Sequence, residues 1–323
     1  MTAYQRWEWA EVVRKHVHSD RLARAGTSYR YLLVKDGTEP LLIAPLRIQR
    51  MPLSSNFPRA AYFLGHTTSS DYLDFLYREF RAEAVELVLA HLRSRYHVKT
   101  CVFDRMLADS PSAGYLATRP GAQVTHEDAV AIDIPDSRAA FDRLLTKRFR
   151  QNVRTAINRA EKDGVELSIA INTQLSEDDI RTVRHMRRQR ALSRQSQRTP
   201  SDSVRSIVRR WAVWGHHDSV ISLLSLQDNW NVTVRRSDGQ LIAIAAGLRD
   251  RRHDREVVRV NLVSYDESYS RYSPGIVALH AFIVEAIEDG DGPQVLDLTR
   301  GQERYKADLG GRPHSYASVS VQL

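Results

Sequence analysis

Between Tyr265 and Lys306 the chain crowds titratable side chains into two short stretches. The first, Tyr265-Asp266-Glu267-Ser268-Tyr269-Ser270-Arg271-Tyr272-Ser273, is rich in tyrosine and runs into the turn Pro274-Gly275. The second, Thr299-Arg300-Gly301-Gln302-Glu303-Arg304-Tyr305-Lys306, follows the apolar run Val295-Leu296-Asp297-Leu298. Arg300 and Lys306 are cations suited to holding a phosphate or neutralising an oxyanion as it forms. Asp297 is an acid inside an apolar strand, so its burial requires a partner, and Arg300 and Lys306 stand within reach. It can accept a proton or serve in a structural ion pair, and Glu303 rivals it for the first role. Tyr265, Tyr269, Tyr272 and Tyr305 offer phenols that donate a proton or line a pocket, and half-buried packing is open to each.

These loops need a frame. Val257 to Val263 reads as an apolar strand and Ile276 to Ile287 as an apolar helix, and Val295 to Leu298 is a short second strand. Strand, loop, helix, strand and a charged glycine-punctuated segment is how an α/β fold builds a site at its strand ends. Upstream, apolar residues at Leu145, Phe149, Val153, Ala156 and Ala160 form one stripe of a helix from Phe141 to Lys162, which Gly164 stops. Lys147, Arg148, Arg150 and Arg154 cover its other faces, as a phosphate grip or as a solvated surface. Ser176 with Asp179 opens a second basic helix, running through Arg187 and Arg190, in capping-box style. Ser201 caps a third, carrying Val204, Ile207, Val208 and Trp211.

In the first half, Trp7 to His16 reads as a helix, and Tyr29 to Lys35 and Leu41 to Ile48 as strands of a hairpin turned at Asp36-Gly37. Ala60 to Leu64 is a strand, Phe80 to Tyr96 an amphipathic helix, Lys99 to Asp104 and Ala129 to Ile134 strands, and Asp109 to Gly121 a loop. Further strands are expected at 220–226, 230–236 and 241–248, and the alternation of Tyr316, Ser318 and Ser320 with Ala317, Val319 and Val321 predicts a half-exposed strand. The hairpin at Asp36-Gly37 has a counterpart at Asp238-Gly239, each followed by strand material, a long helix and another strand, which suggests a duplicated α/β unit.

Bulk properties narrow the classes. The 323 residues are 42% hydrophobic, an ordinary globular value, and carry a net charge of +8, which favours an anionic partner. One cysteine, Cys101, excludes a disulfide framework within the chain and a cysteine-based zinc cluster. His216, His217 and His253 lack a set of companion ligands, so no metal is expected. The N-terminal residues carry charge where a signal peptide needs an apolar run, and no stretch approaches the roughly 18 apolar residues of a membrane span. The cytoplasm is the expected compartment.

Leu41-Leu42-Ile43-Ala44-Pro45-Leu46, Asp71-Tyr72-Leu73-Asp74, Lys147 to Arg154, Ser273-Pro274-Gly275 and Asp297 to Lys306 follow one another in an order and spacing that resembles a known family. The chain resembles the CelD-like acyltransferases with a duplicated GNAT fold, relatives of the Fem aminoacyl transferases. The resemblance covers nearly the whole chain. It implies an α/β architecture of tandem GNAT-like domains, each a mixed sheet flanked by helices, spanning 1–135 and 136–323, with a helical insertion at about 136–215. It also implies transfer of an acyl group from an activated carrier to an amine of a small molecule or peptide. Acyl-CoA is the favoured carrier and aminoacyl-tRNA the alternative, with no tightly bound cofactor. A degenerate, non-catalytic binding module is a third reading. On the enzymatic readings Asp297, Glu303, Tyr305 and Lys306 are catalytic candidates. Lys147, Arg148, Arg150, Arg300, Gly275 and Ile276 would hold the carrier, and Tyr265, Tyr269 and Tyr272 the acceptor. The family's pyrophosphate turn is altered here, because Pro274 removes one backbone donor.

Overall fold

The computed structural model describes residues 2–16, 27–49, 59–66, 70–172, 175–196, 221, 224, 229–252, 255–290 and 292–323. The expected helix opened by Ser201, and His216, His217 and His253, lie outside them, as does most of the expected strand at 220–226.

Two compact units emerge, Met1–Asp128 with His314–Leu323, and Ala129–Pro313. In the first, the sheet runs β1 (Thr27–Asp36), β2 (Glu39–Gln49), β3 (Arg59–Phe63), β4 (Val98–Leu107), β11 (Arg312–Gln322). All neighbours are antiparallel except β3 and β4, which the helix α2 (Ala82–Tyr96) connects as a parallel pair. A crossover helix is what a parallel pair requires. Helix α1 (Trp7–His16) precedes this sheet. Cys101 is enclosed in β4, and burial pushes its thiol up, away from nucleophilic character. The expected loop at 109–121 contains a helix, α3 (Pro111–Ala117), with Ser110 accepting from the Ala113 N–H and proline in the first turn.

In the second unit the order is β5 (Gln123–Asp133), β10 (Val295–Arg300), β9 (Arg255–Tyr265), β8 (Leu241–Arg252), β7 (Asn229–Arg236), β6 (Leu167–Asn172). Here β9 and β10 are the parallel pair, connected through helix α7 (Pro274–Glu288). Apolar on nearly every face, α7 buries Val277, Leu279, Phe282, Ile283 and Val284 among Val232, Val234, Ala243 and Ala245 of the sheet. Each large aliphatic side chain so enclosed contributes about 1.5–3 kcal/mol.

The single helix expected from Phe141 to Lys162 is two, α4 (Arg138–Leu144) and α5 (Lys147–Lys162). Leu145 is extended at φ −66 and ψ 137, and the Thr146 hydroxyl accepts from the Phe149 N–H and so starts α5 afresh. The apolar stripe survives the break, since Leu145 is buried in the same core as Phe149 and Val153. Helix α6 (Glu177–Ser196) lies over β8 and β9.

Each repeat thus reads hairpin, strand, long helix, parallel strand, short helix, closing strand, and the closing strands are exchanged. Strand β11, which follows the second repeat, pairs with β4, while Ala129–Asp133 of β5, which follows the first, pairs with β10. The expected division at 135 and 136 therefore differs from the compact units, because a closing strand is grouped with the sheet it completes. Matching bulges mark the duplication further. Asp104 and Arg105 are the extra pair between the partners Phe103 and Met106, and Leu298 and Thr299 occupy the same place between Asp297 and Arg300. Arg105 and Thr299 have positive φ, 57° and 55°.

A second bulge, in β9 opposite Ala246 and Gly247, needs a residue without a side chain. A Cβ at Gly247 would press on Val258 and stand 2.9 Å from the Arg259 carbonyl. Gly247→Ala is expected to cost about 1–3 kcal/mol, read as a lower denaturation midpoint with an unchanged slope.

Candidate active site

Strands β9 and β10 stay in register through Val257 with Val295, Val258 with Leu296 and Arg259 with Asp297, and the ladder ends there although β9 continues to Tyr265. Parallel strands that part at their C-terminal ends open a crevice between the loops that follow them.

One wall is the loop after β10. Asp297 Oδ2 accepts from Arg259 Nη1 at 2.7 Å, and Oδ1 accepts from the Thr299 N–H at 2.8 Å. Arg259 is 1% exposed and also donates to Asp250, from Nε at 2.6 Å and from Nη2 at 3.2 Å. The buried series Asp250, Arg259, Asp297 thus pins the positive-φ residue Thr299. Lys306, 2% exposed, points its Nζ back into the preceding turn. It donates to the carbonyls of Thr299, Arg300 and Gly301 and pairs with Glu303 Oε2 at 2.9 Å. Burial would raise the Glu303 carboxyl, but the Lys306 hydrogen bond holds it below the usual range, so it is ionised at neutral pH. Tyr305 packs half-buried against the core, and burial, then the Glu303 charge, pushes its phenol up to about 12.

The other wall is Tyr265 at the end of β9 and the start of α7. Gly275 lets them approach, since a Cβ there would stand 3.2 Å from the Tyr265 ring. The Arg190 guanidinium of α6 lies 5.2 Å above that ring and is also felt electrostatically by Tyr305. Arg187, one turn earlier, is pulled down to about 10 by burial and then by Arg190. Tyr265, Arg190, Tyr305, Glu303 and Lys306 therefore form one linked series.

The expected residues separate into groups. Asp297 and Arg300 in β10, and Glu303, Tyr305 and Lys306 in the turn and short helix Arg304–Asp308 that follow, lie together, with both Asp297 oxygens engaged. Of the three loop tyrosines, Tyr265 faces the start of α7. The Tyr269 hydroxyl accepts from Arg236 at 2.9 Å, and that of Tyr272 donates to Asp163 at the end of α5 at 2.9 Å. Gly275 is buried, Pro274 has no N–H, and the Ile276 N–H already donates to the Ser273 carbonyl at 2.9 Å. Lys147 and Arg150 line a separate cleft of about 690 Å³ with Arg138, Arg143, Arg154 and His280, whereas Arg148 is exposed on α5. Within it Arg150 donates to the Leu145 carbonyl at 3.0 Å and Arg138 pairs with Glu288 at 3.3 Å. Among the described residues Arg143, Lys147 and Arg154 have no ion-pair partner.

Sequence reading passed over Arg259, whose partners stand 9 and 38 residues away, and met Arg190 only as part of a basic helix. The cap that positions Arg190 was legible. The Asp179 N–H donates to Ser176 Oγ at 3.1 Å and Asp179 Oδ2 accepts from the Ser176 N–H at 3.2 Å. Arg235 completes it with a 2.7 Å bond to Oδ1. Burial would raise the Asp179 carboxyl, but Arg235 and Ser176 hold it below its ordinary value. A depressed folded pKa stabilises above the unfolded value of about 4 and is lost as pH falls through the folded one. Asp179→Ala is expected to cost about 1–2 kcal/mol at pH 7, with the difference shrinking below about pH 4 in denaturation curves.

Residues 147–307 match the acetyltransferase (GNAT) domain family. Among solved structures, FemX is similar over 98% of this chain and 92% of its own, with a TM-score of 0.60 at 10% identity. A conserved protein of unknown function from Bacteroides thetaiotaomicron is similar over 97% and 96%, with a TM-score of 0.55 at 11% identity. L-PGS from Bacillus licheniformis is similar over 90% and 83%, with a TM-score of 0.52 at 10% identity. At these identities the structural likenesses establish the fold. No curated protein sequence matches. Residues 147–307 are thus a GNAT acetyltransferase domain, and the chain as a whole has the fold seen in FemX. No described helix is long and apolar enough to cross a membrane.

Proposed function

We propose that this protein transfers an acyl group to a primary amine in the crevice where β9 and β10 part, and that its carrier is an aminoacyl-tRNA. The observation that carries the transfer is the crevice, whose loop is clamped by a buried lysine and whose rim holds a phenol and a carboxylate. The amine nitrogen attacks the ester carbonyl, and a C–N bond forms as the oxygen becomes an oxyanion beside the cationic Lys306 and Arg190. The C–O bond to the ribose then breaks. The departing oxygen takes a proton from Tyr305, whose high pKa keeps it protonated; the amine proton passes by way of Glu303 to water, and water returns a proton to the Tyr305 phenolate.

The carrier assignment rests on two placements. The start of α7 is buried and poor in free N–H donors, which disfavours a pyrophosphate cradle. The cleft along α4 and α5 instead presents cations with no carboxylate partner, which suits a phosphodiester backbone. The small-molecule or peptide acceptor enters from the Tyr265 side. The test is amide formation with a panel of amines, offered charged tRNA or acyl-CoA at two salt concentrations and read by mass spectrometry. Amide from charged tRNA, falling steeply with salt, is expected. Amide from acyl-CoA alone would overturn the carrier, and amide from neither would overturn transfer.

A further inference from the structure

The first unit holds a buried cation with no hydrogen-bond or ion-pair partner among the described residues. Tyr29, Arg47 and Tyr62 stand side by side on β1, β2 and β3, and the Arg47 guanidinium lies 5.0 Å from the centre of the Tyr62 ring. Arg47 is 8% exposed, yet it makes no hydrogen bond and no ion pair with any described residue, and its Nε is enclosed without a partner. Arg259 shows the ordinary solution in the same chain, with three nitrogens on two carboxylates. Burying a guanidinium without acceptors is costly, and ring contact replaces only part of what water gave. Burial pulls Arg47 below its ordinary pKa against the charges of Tyr29, Tyr62 and Asp104.

The row continues. The Tyr62 and His66 rings stack at 4.3 Å and 28°, and His66 Nδ1 stands 2.6 Å from Asp104 Oδ2. Burial would raise the Asp104 carboxyl, but His66, then Arg105 and Arg47, hold it below the usual range. These residues sit where β3 and β4 end, beside the bulge at Arg105, and so occupy in the first repeat the place that the crevice occupies in the second.

We infer that Arg47 anchors a second ligand site, in the first unit, for the carboxylate or phosphate of a small molecule seated against the Tyr62 ring. The planar fork suits either group. The site stands independently of the acyl-transfer reading, because none of its residues belongs to the crevice.

Titration calorimetry of the full chain at fixed ionic strength, with inorganic phosphate and with succinate, tests it. Saturable binding of one is expected, and which one binds separates phosphate from carboxylate. Arg47→Met, shown folded by circular dichroism, should weaken that binding by about tenfold or more. Arg93→Met, exposed on α2 and outside both sites, should leave it unchanged. Should Arg47→Met fail to fold, Arg47→Lys keeps the charge but loses the fork and should still bind several-fold more weakly. Saturation by neither probe, an unaffected Arg47 variant, or an equal loss in Arg93→Met would overturn the site.

Discussion

Lys306→Ala should lower turnover by on the order of a hundredfold or more while the protein remains folded. The side chain is enclosed, and its ammonium gathers three successive carbonyls, from Thr299 to Gly301, in a turn containing two positive-φ residues. Without it those carbonyls lose their common donor, Glu303 loses its counter-charge and the crevice loses its nearest buried cation. Water can re-solvate Glu303, which is mostly exposed, so the stability cost should be small beside the catalytic one. Steady-state rates with circular dichroism and a melting curve measure both effects. Turnover within twofold of the parent would remove Lys306 from the machinery, and a parallel collapse of fold and rate would make it structural. Lys306→Arg should rescue poorly, because a larger planar fork does not reproduce the compact ammonium that gathers three carbonyls of one turn.

Arg259→Met should produce the largest loss of stability, about 3–5 kcal/mol. Methionine fills comparable space, so the loss comes from leaving Asp250 and Asp297, 4% and 3% exposed, as enclosed carboxylates without their shared cation. Adding Asp250→Asn and Asp297→Asn should recover part of the loss, since neutral amides tolerate enclosure better. Urea denaturation of the single and triple variants decides this. A single variant within 1 kcal/mol of the parent, roughly the worth of an exposed pair, would mean the series is not buried in solution. Because Asp297 also holds the Thr299 N–H, the single variant should lose activity as well.

Much of the frame was legible because local chemistry specifies it. The Asp36-Gly37 and Asp238-Gly239 turns, with glycine φ of 57° and 86°, announce their hairpins, and the apolar run from Ile276 announces α7. The break between α4 and α5 was hidden because Leu145 keeps the helical stripe while leaving the helix, and only Thr146 signals the restart. Helix α3 was masked by the same serine and proline that start it. The crevice was half legible. Lys306 and Glu303, three residues apart across the start of one short helix, could be paired from sequence, but Arg259 looked like a charge interrupting an apolar strand. Its meaning depends on register across three strands, which no local pattern encodes. The same holds for Arg47, Tyr62 and His66, which come together through strand pairing.

The crossed closing strands bear on how the molecule is made. Residues 314–323 are needed to complete the sheet that begins at Thr27, so the N-terminal unit stays an unfinished template until the ribosome has delivered the second repeat. The edge of β4 waits exposed in the nascent chain throughout that interval, a hazard that unpaired strands carry. Maturation of the two units is thereby tied to a single late event rather than proceeding one after the other.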